Sequence, residues 1–374
     1  MTRIARWGTT AFGLMLMTAA CGSSQSHEGE DATPIQRIPV PQSEFIPEEL
    51  EATVDRLIAE INESSPDPMQ MTVVLKAAVG FWQPVVKAAN RAMGELGATG
   101  NVLGSLTPSG DTEEAEQNQI RQIEQAVADG AKGIGVAAFD DSQTAAVDEA
   151  IAKGVHVVTL DTDVPTSKRA IYVGTLDKAS GITAAKTLLA MLPAPPGTVI
   201  IHGNTDPEWS NGMDRTQGAQ SVFEEAGYSV LVRDSSWHST SEAEDIAWMT
   251  DQLDAAEPPA VGMIGLFDIS YRCAMAAEAA GKDLPIVTFD FNPTTVDYMR
   301  KGLIKATHTQ RQYYQGYLVP YILYGIENLG LDATKEILAP QMVDDNRVNT
   351  GLDVVPADKI DAYNDFLDVI GSNQ

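Results

Sequence analysis

The sequence predicts an α/β protein of two lobes, each a parallel sheet flanked by helices, and three observations lead there. From residue 71 onward short apolar runs alternate with longer amphipathic segments, the pattern of strand–helix units that lay their strands in parallel. The second half repeats the first: Met71-Thr72-Val73-Val74-Leu75-Lys76 is matched by Gly197-Thr198-Val199-Ile200-Ile201-His202. Two apolar runs, Val157-Val158-Thr159-Leu160-Asp161 and Ile286-Val287-Thr288-Phe289-Asp290, each stop on a carboxylate. Ligands of open α/β sheets bind beyond the carboxyl ends of the strands. Two such halves therefore bring one aspartate each to a shared cleft.

Taken in order, residues 1–21 read as a signal peptide: Arg3 and Arg6, an apolar stretch over 11–17, then Ala19 and Ala20 directly before Cys21. The apolar stretch is too short to span a bilayer, which takes about 20 residues of helix. Cleavage before Cys21 frees its amino group and thiol for lipid attachment, with ordinary signal-peptidase cleavage as the alternative. Residues 22–43, with Pro34, Pro39 and Pro41, read as a flexible tether. Over 44–64, Ile46, Leu50, Val54, Leu57, Ile58 and Ile61 recur every three or four positions, one helical stripe that packs on the body or meets a partner. Strand-like runs follow at 72–75, 133–136, 155–160, 198–201, 229–232, 261–266 and 285–289. Helical patterns lie between them at 85–96, 115–128, 145–153, 179–191, 217–225, 243–253 and 272–280.

Composition narrows the function. A net charge of −27 repels phosphate backbones and anionic lipid surfaces, which argues against nucleic acid and peripheral membrane binding. Cys273 is the one cysteine of the body, so its stability rests on an apolar core rather than a disulfide. His27, His156, His202, His238 and His308 are scattered without metal-ligand spacing. There is no Gly-x-Ser-x-Gly elbow and no phosphate-loop pattern. No metal and no cofactor is expected.

The chain resembles the periplasmic sugar-binding proteins of ABC transporters, of the ribose-, galactose- and rhamnose-type, over roughly residues 70 to 350. The residues that carry the likeness are the first strand followed by Phe81-Trp82, the run ending at Asp161, Arg215-x-x-Gly218, Val287-Thr288-Phe289-Asp290 and the stretch from Gly302 to Gln310. Lys76 with Gly80-Phe81-Trp82, and Asp161-Thr162-Asp163 followed by Lys168-Arg169, look most like the branch of rhamnose-type binders and autoinducer receptors. The resemblance implies the type I periplasmic binding protein fold, two Rossmann-like lobes joined by three crossovers and a hinge. Projected here, one lobe takes 70–175 plus 311–340 and the other 176–310 plus 341–374. It also implies a monomer, outside the cytoplasm, that binds a carbohydrate and presents it to an ABC permease.

A sugar shows hydroxyls at its rim and C–H groups on its faces, so its pocket needs ionised planar groups and aromatic rings. Asp161 and Asp290 are the expected acceptors, with capping of the next helix as the plain structural alternative. Arg215 offers a fork of donors for two adjacent hydroxyls, unless it merely pairs with Asp214 or Glu208. Lys76 ends the first strand, and Gln310 can both donate and accept. Phe81, Trp82 and Trp237 fall where the family stacks rings on its sugar. At two positions the sequence departs from ribose-type binders: Thr162 replaces an Arg after the first strand-end Asp, and Phe267-Asp268 stands in place of an Asn. The departures imply a pyranose, a deoxysugar or a smaller, less hydroxylated ligand. Two other functions fit the same frame. A signalling receptor would present its closed form to a membrane sensor, and a glycosidase would use two carboxylates across the cleft as acid and nucleophile.

Overall fold

The computed structural model describes residues 34–64, 66–106, 112–207, 209–235 and 241–371. Helix α1 (Glu48–Glu63) comes first, followed by β1 (Gln70–Ala77), α2 (Gln83–Glu95), β2 (Thr99–Ser105), α3 (Thr112–Ala128), β3 (Gly133–Val136), α4 (Thr144–Ala152), β4 (His156–Leu160) and β5 (Ile171–Gly174). The second half runs α5 (Asp177–Leu189), β6 (Thr198–Gly203), α6 (Ser210–Glu225), β7 (Ser229–Asp234), α7 (Glu242–Ala255), β8 (Ala260–Gly265), α8 (Arg272–Ala280), β9 (Ile286–Phe289), α9 (Pro293–Arg300) and β10 (Ile304–Thr309). Helices α10 (Gln312–Leu329) and α11 (Leu331–Leu338), strands β11 (Met342–Val343), β12 (Arg347–Asn349) and β13 (Asp353–Pro356), and α12 (Ile360–Val369) complete it.

These strands form two sheets, ordered β11-β12-β5-β4-β3-β1-β2 and β13-β10-β9-β8-β6-β7. The parallel cores, β2-β1-β3-β4-β5 and β7-β6-β8-β9-β10, have the same order, so the repeat seen in the sequence is a repeat of topology. In each, the order reverses beside the first strand, which is where such sheets open a crevice at their carboxyl ends. The inner strands β3, β4 and β9 are apolar with little alternation because helices cover both of their faces.

The chain passes between the sheets three times: between β5 and α5, between β10 and α10, and between β12 and β13. The third passage lies later than the expected division at 340–341, because β11 and β12 extend the first sheet before the chain leaves it. Helix α10 fills the first lobe. It is buried from Gln312 through Ile326 on every side, packed among α2, β3, β4, β5 and α1. An all-round apolar helix has no stripe, which is why periodicity does not reveal it.

Helix α1 packs its Leu50, Val54, Leu57, Ile58 and Ile61 face on α10 and α11. The stretch before it differs from the expected tether. Its prolines keep it extended, yet residues 34–43 are docked: Ile35 N–H donates to Asn62 Oδ1 at 2.8 Å, and Arg37 pairs with Glu51 at 2.8 Å and Asp55 at 2.6 Å. Ile35 and Val40 are buried. Further on, Phe45 meets the Tyr363 ring edge-on at 5.0 Å. Cys21, with the signal segment and residues 22–33, lies outside the described residues. Among the described residues no helix is long and apolar enough to cross a membrane.

Candidate ligand-binding cleft

A cavity of ≈ 870 Å³ opens at the carboxyl ends of the two sheets. From the first sheet it is lined by Lys76 near the end of β1, Phe81 and Trp82 in the 3₁₀ turn that follows, Phe139 after β3 and Asp161 after β4. The second sheet contributes Arg215 from α6, Phe267 and Asp268 after β8, and Asp290 after β9. Gln310 sits at the second crossover.

The two aspartates occupy equivalent corners. Asp161 has φ 61° and Asp290 φ 64°, both left-handed, a region where a short polar side chain is tolerated far better than a bulky one. Each corner is fastened by the neighbouring strand. Asp161 N–H donates to the Val173 carbonyl at 3.1 Å and Tyr172 Oη donates to the Asp161 carbonyl at 2.8 Å. At the other corner Asp290 N–H donates to the His308 carbonyl at 2.6 Å, and Thr307 Oγ1 to the Asp290 carbonyl at 2.6 Å. The turn aims both side chains away from the sheet and into the cavity that they line.

Arg215 is almost wholly enclosed, at 3% exposure. Its guanidinium donates to the Leu266 carbonyl at 2.9 Å, to Asp177 Oδ1 at 2.7 Å and to Gln310 Oε1 at 2.9 Å, and its Cζ lies 4.4 Å from the centre of the Phe289 ring. Its partner is not Asp214 but Asp177 at the start of α5, and Glu208 lies outside the described residues. This pairing depends on a close approach of α5 and α6. A Cβ on Gly181 would stand 2.0 Å from the Arg215 carbonyl oxygen, and one on Gly218 2.3 Å from that of Lys178. Gln310 Nε2 then donates to Asp290 Oδ1 at 2.8 Å, so the arginine reaches that aspartate through a neutral amide. The first lobe has a matching relay. Lys76 Nζ donates to Thr162 Oγ1 at 2.6 Å, and Thr162 Oγ1 donates to Asp161 Oδ2 at 3.0 Å.

Burial sets the protonation of these groups. It pushes Asp290 up to about 7 against the pull of Arg215 and the Gln310 hydrogen bond, and Asp177 up to about 6 against Arg215. Burial likewise raises Asp161, opposed by Lys76 and Arg215, and lowers Lys76, opposed by Asp161. Arg215 is drawn down by burial but more strongly upward by the carboxylates of Asp177, Asp290 and Asp161, so it stays charged.

Lys76, Phe81, Trp82, Asp161, Arg215, Phe267, Asp268, Asp290 and Gln310, all expected from the sequence, line this one cavity. Trp237 lies outside the described residues. Sequence reasoning missed Trp209, whose ring lies 4.6 Å from that of Phe267 at 31°, together with Asn211, Phe139 and Asp177. It also missed the α3 wall of Glu114, Asn118, Gln119, Arg121 and Gln122. Trp209 lies next to Glu208 and six residues before Arg215 in the sequence, a scarce ring beside an expected site residue, and that signal could have found it.

A model of the periplasmic binding protein domain matches residues 71–329. The chain belongs to that family. Solved structures share its type I periplasmic binding protein fold. A sugar ABC transporter (sugar-binding protein) from Bacillus halodurans is 22% identical at TM-score 0.67, with 79% of this chain and 99% of that one covered. A periplasmic ribose ABC transporter from Conexibacter woesei is 17% identical at TM-score 0.67, covering 80% and 95%. A solute binding protein from Burkholderia graminis in complex with D-arabinose is 22% identical at TM-score 0.63, covering 79% and 97%. No curated protein matches the chain.

Proposed function

We propose that the protein is an extracytoplasmic, monomeric solute-binding lipoprotein, anchored through Cys21, that captures a monosaccharide or related small polyol in the cleft and delivers it to an ABC permease. It binds its ligand without catalysis, cofactor or metal. One observation carries the reading. Asp161 and Asp290, at equivalent left-handed corners of two sheets, line a single cavity, and each is steadied by a cation acting through one neutral side chain. Such carboxylates accept hydroxyl protons strongly. Trp82, Trp209 and Phe267 supply the apolar surface that sugar C–H faces require. The three passages between the sheets suit a hinge, and a permease can read the closed shape. Relatives of the same fold include proteins described as sugar-binding or held with D-arabinose, which supports the ligand class.

Thermal-shift screening against a monosaccharide panel tests this. A ligand at ~100 times its dissociation constant adds roughly 2.7 kcal/mol to folding stability. A flat response across pentoses, hexoses and deoxyhexoses would sink the reading. One observation favours a second reading: a carboxyl raised to about 7, as Asp290 is, suits the general acid of a glycosidase. Incubation with labelled oligosaccharides separates the two, since a receptor returns them intact and an enzyme releases shorter products.

A further inference from the structure

The walls of the cleft hold more hydrogen-bond acceptors than donors, and the imbalance is sharpest on the second lobe. Arg215 spends its terminal nitrogens on Leu266, Asp177 and Gln310 and its face on Phe289, leaving only its buried Nε–H without a partner. Lys76 gives one hydrogen to Thr162 on its own lobe. Asp290 receives one amide hydrogen from Gln310, and Asp268 meets the backbone N–H of Ile269; neither forms an ion pair among the described residues. A second observation points the same way. Gln119, 1% exposed and lining the same cavity, fixes its amide nitrogen on the Ala137 carbonyl at 2.8 Å and leaves Oε1 without a partner. Asn211 Oδ1, also at the cavity, is unpartnered too.

A ligand that filled these needs would bring donors in excess of acceptors. A hydroxyl brings one donor and two acceptor lone pairs, whereas an ammonium brings three donors and a positive charge and accepts nothing. From this we infer that Asp268 and Asp290 form an ammonium subsite on the second lobe, so that the ligand class is an amino sugar or an amine-bearing polyol. This rests on the sugar-binding reading above and narrows it. The charge of Asp268 adds to burial in holding the Asp290 carboxyl high, and a cation between the two would relieve both. Such a bond joins two ionised groups and is roughly twice as strong as its neutral counterpart.

Isothermal titration of the full chain at neutral pH with matched pairs decides it: D-glucosamine and D-glucose, D-galactosamine and D-galactose, D-mannosamine and D-mannose. The expected result is that at least one amine binds about tenfold more tightly than its neutral parent, a difference equivalent to one charge-assisted bond. In Asp268→Asn the ratio for that pair should fall to near unity. Neutral sugars that bind as tightly as their amines, or a ratio unchanged in Asp268→Asn, would overturn the ammonium subsite while leaving the sugar-binding reading intact. Should no member of any pair bind, the subsite falls, while the sugar-binding reading is decided by the wider panel above. If Asp268→Asn does not fold, the wild-type ratios decide alone.

Discussion

The two aspartate corners share a backbone and differ in their surroundings. At Asp161 the relay runs from a lysine on a strand through a threonine hydroxyl; at Asp290 it runs from an arginine on a helix through a glutamine amide. The first relay lies wholly within its lobe, while the second passes through Gln310, at the point where the chain changes sheets. The repeated topology thus fixes where the carboxylates stand, and the differing side chains around them set what holds them. The second corner is also the more tightly built, since Arg215 ties Asp177, Leu266 and Gln310 together.

That asymmetry can be broken experimentally, and the largest effect belongs to Arg215. Arg215→Ala leaves Asp177 buried without its counter-charge and frees Gln310, so urea denaturation should show a loss of about 3 to 5 kcal/mol. A loss below about 1 kcal/mol would mean that the second corner is not held by this arginine. Next comes Asp290→Asn, which keeps the left-handed turn but removes the charge; sugar affinity measured by titration calorimetry should weaken by about 1.5 to 3 kcal/mol. Equal affinities for variant and wild type would remove Asp290 from the site.

A pH series sharpens the comparison further. In the folded protein Asp290 and Asp177 hold protons up to about 7 and about 6, whereas an unfolded carboxyl releases them near pH 4. The folded state therefore binds more protons between these limits. The contribution of these two acids to stability should fall as pH rises from about 4 to about 7, and saturating sugar, whose hydroxyls favour the ionised carboxylates, should flatten the slope. Burial holds His308 down to about 4 and lowers His202 as well, which acts in the opposite direction over the same window, so the series is read as wild type against Asp290→Asn. A wild-type stability that does not fall relative to the variant through this window would contradict the placement of Asp290. The smallest effect is expected at the first corner: Thr162→Val cuts the Lys76–Asp161 relay at a cost of about 1 kcal/mol in stability or affinity. An effect matching that of Arg215→Ala would erase the distinction between the corners.

Much of this arrangement is legible in the sequence, for identifiable reasons. Asp161 and Asp290 stand out because each ends an apolar run, and the runs are near copies. Parallel inner strands announce themselves because burial on both faces demands unbroken apolar residues. Strand β2 does not, since it lies at a sheet edge with Thr99, Gly100 and Asn101 exposed. Strand β5 is only four residues long, and without it Asp177 cannot be placed at the cleft. The partner of Arg215 is hidden for a further reason, because it depends on two glycines that let separate helices touch. The α3 wall shows another limit: an amphipathic pattern reveals a buried stripe, but not which polar flank will face a cavity.

The left-handed corners also restrict how this protein can be altered, by selection or by design. At φ near 60° most side chains crowd the following carbonyl at about 1 to 2 kcal/mol, and only glycine, asparagine and aspartate sit there readily. The mutational alphabet at positions 161 and 290 is in effect three letters. Any re-tailoring of ligand preference must then be written elsewhere, in the rings of Trp82, Trp209 and Phe267 or along α3, around two nearly immovable pegs.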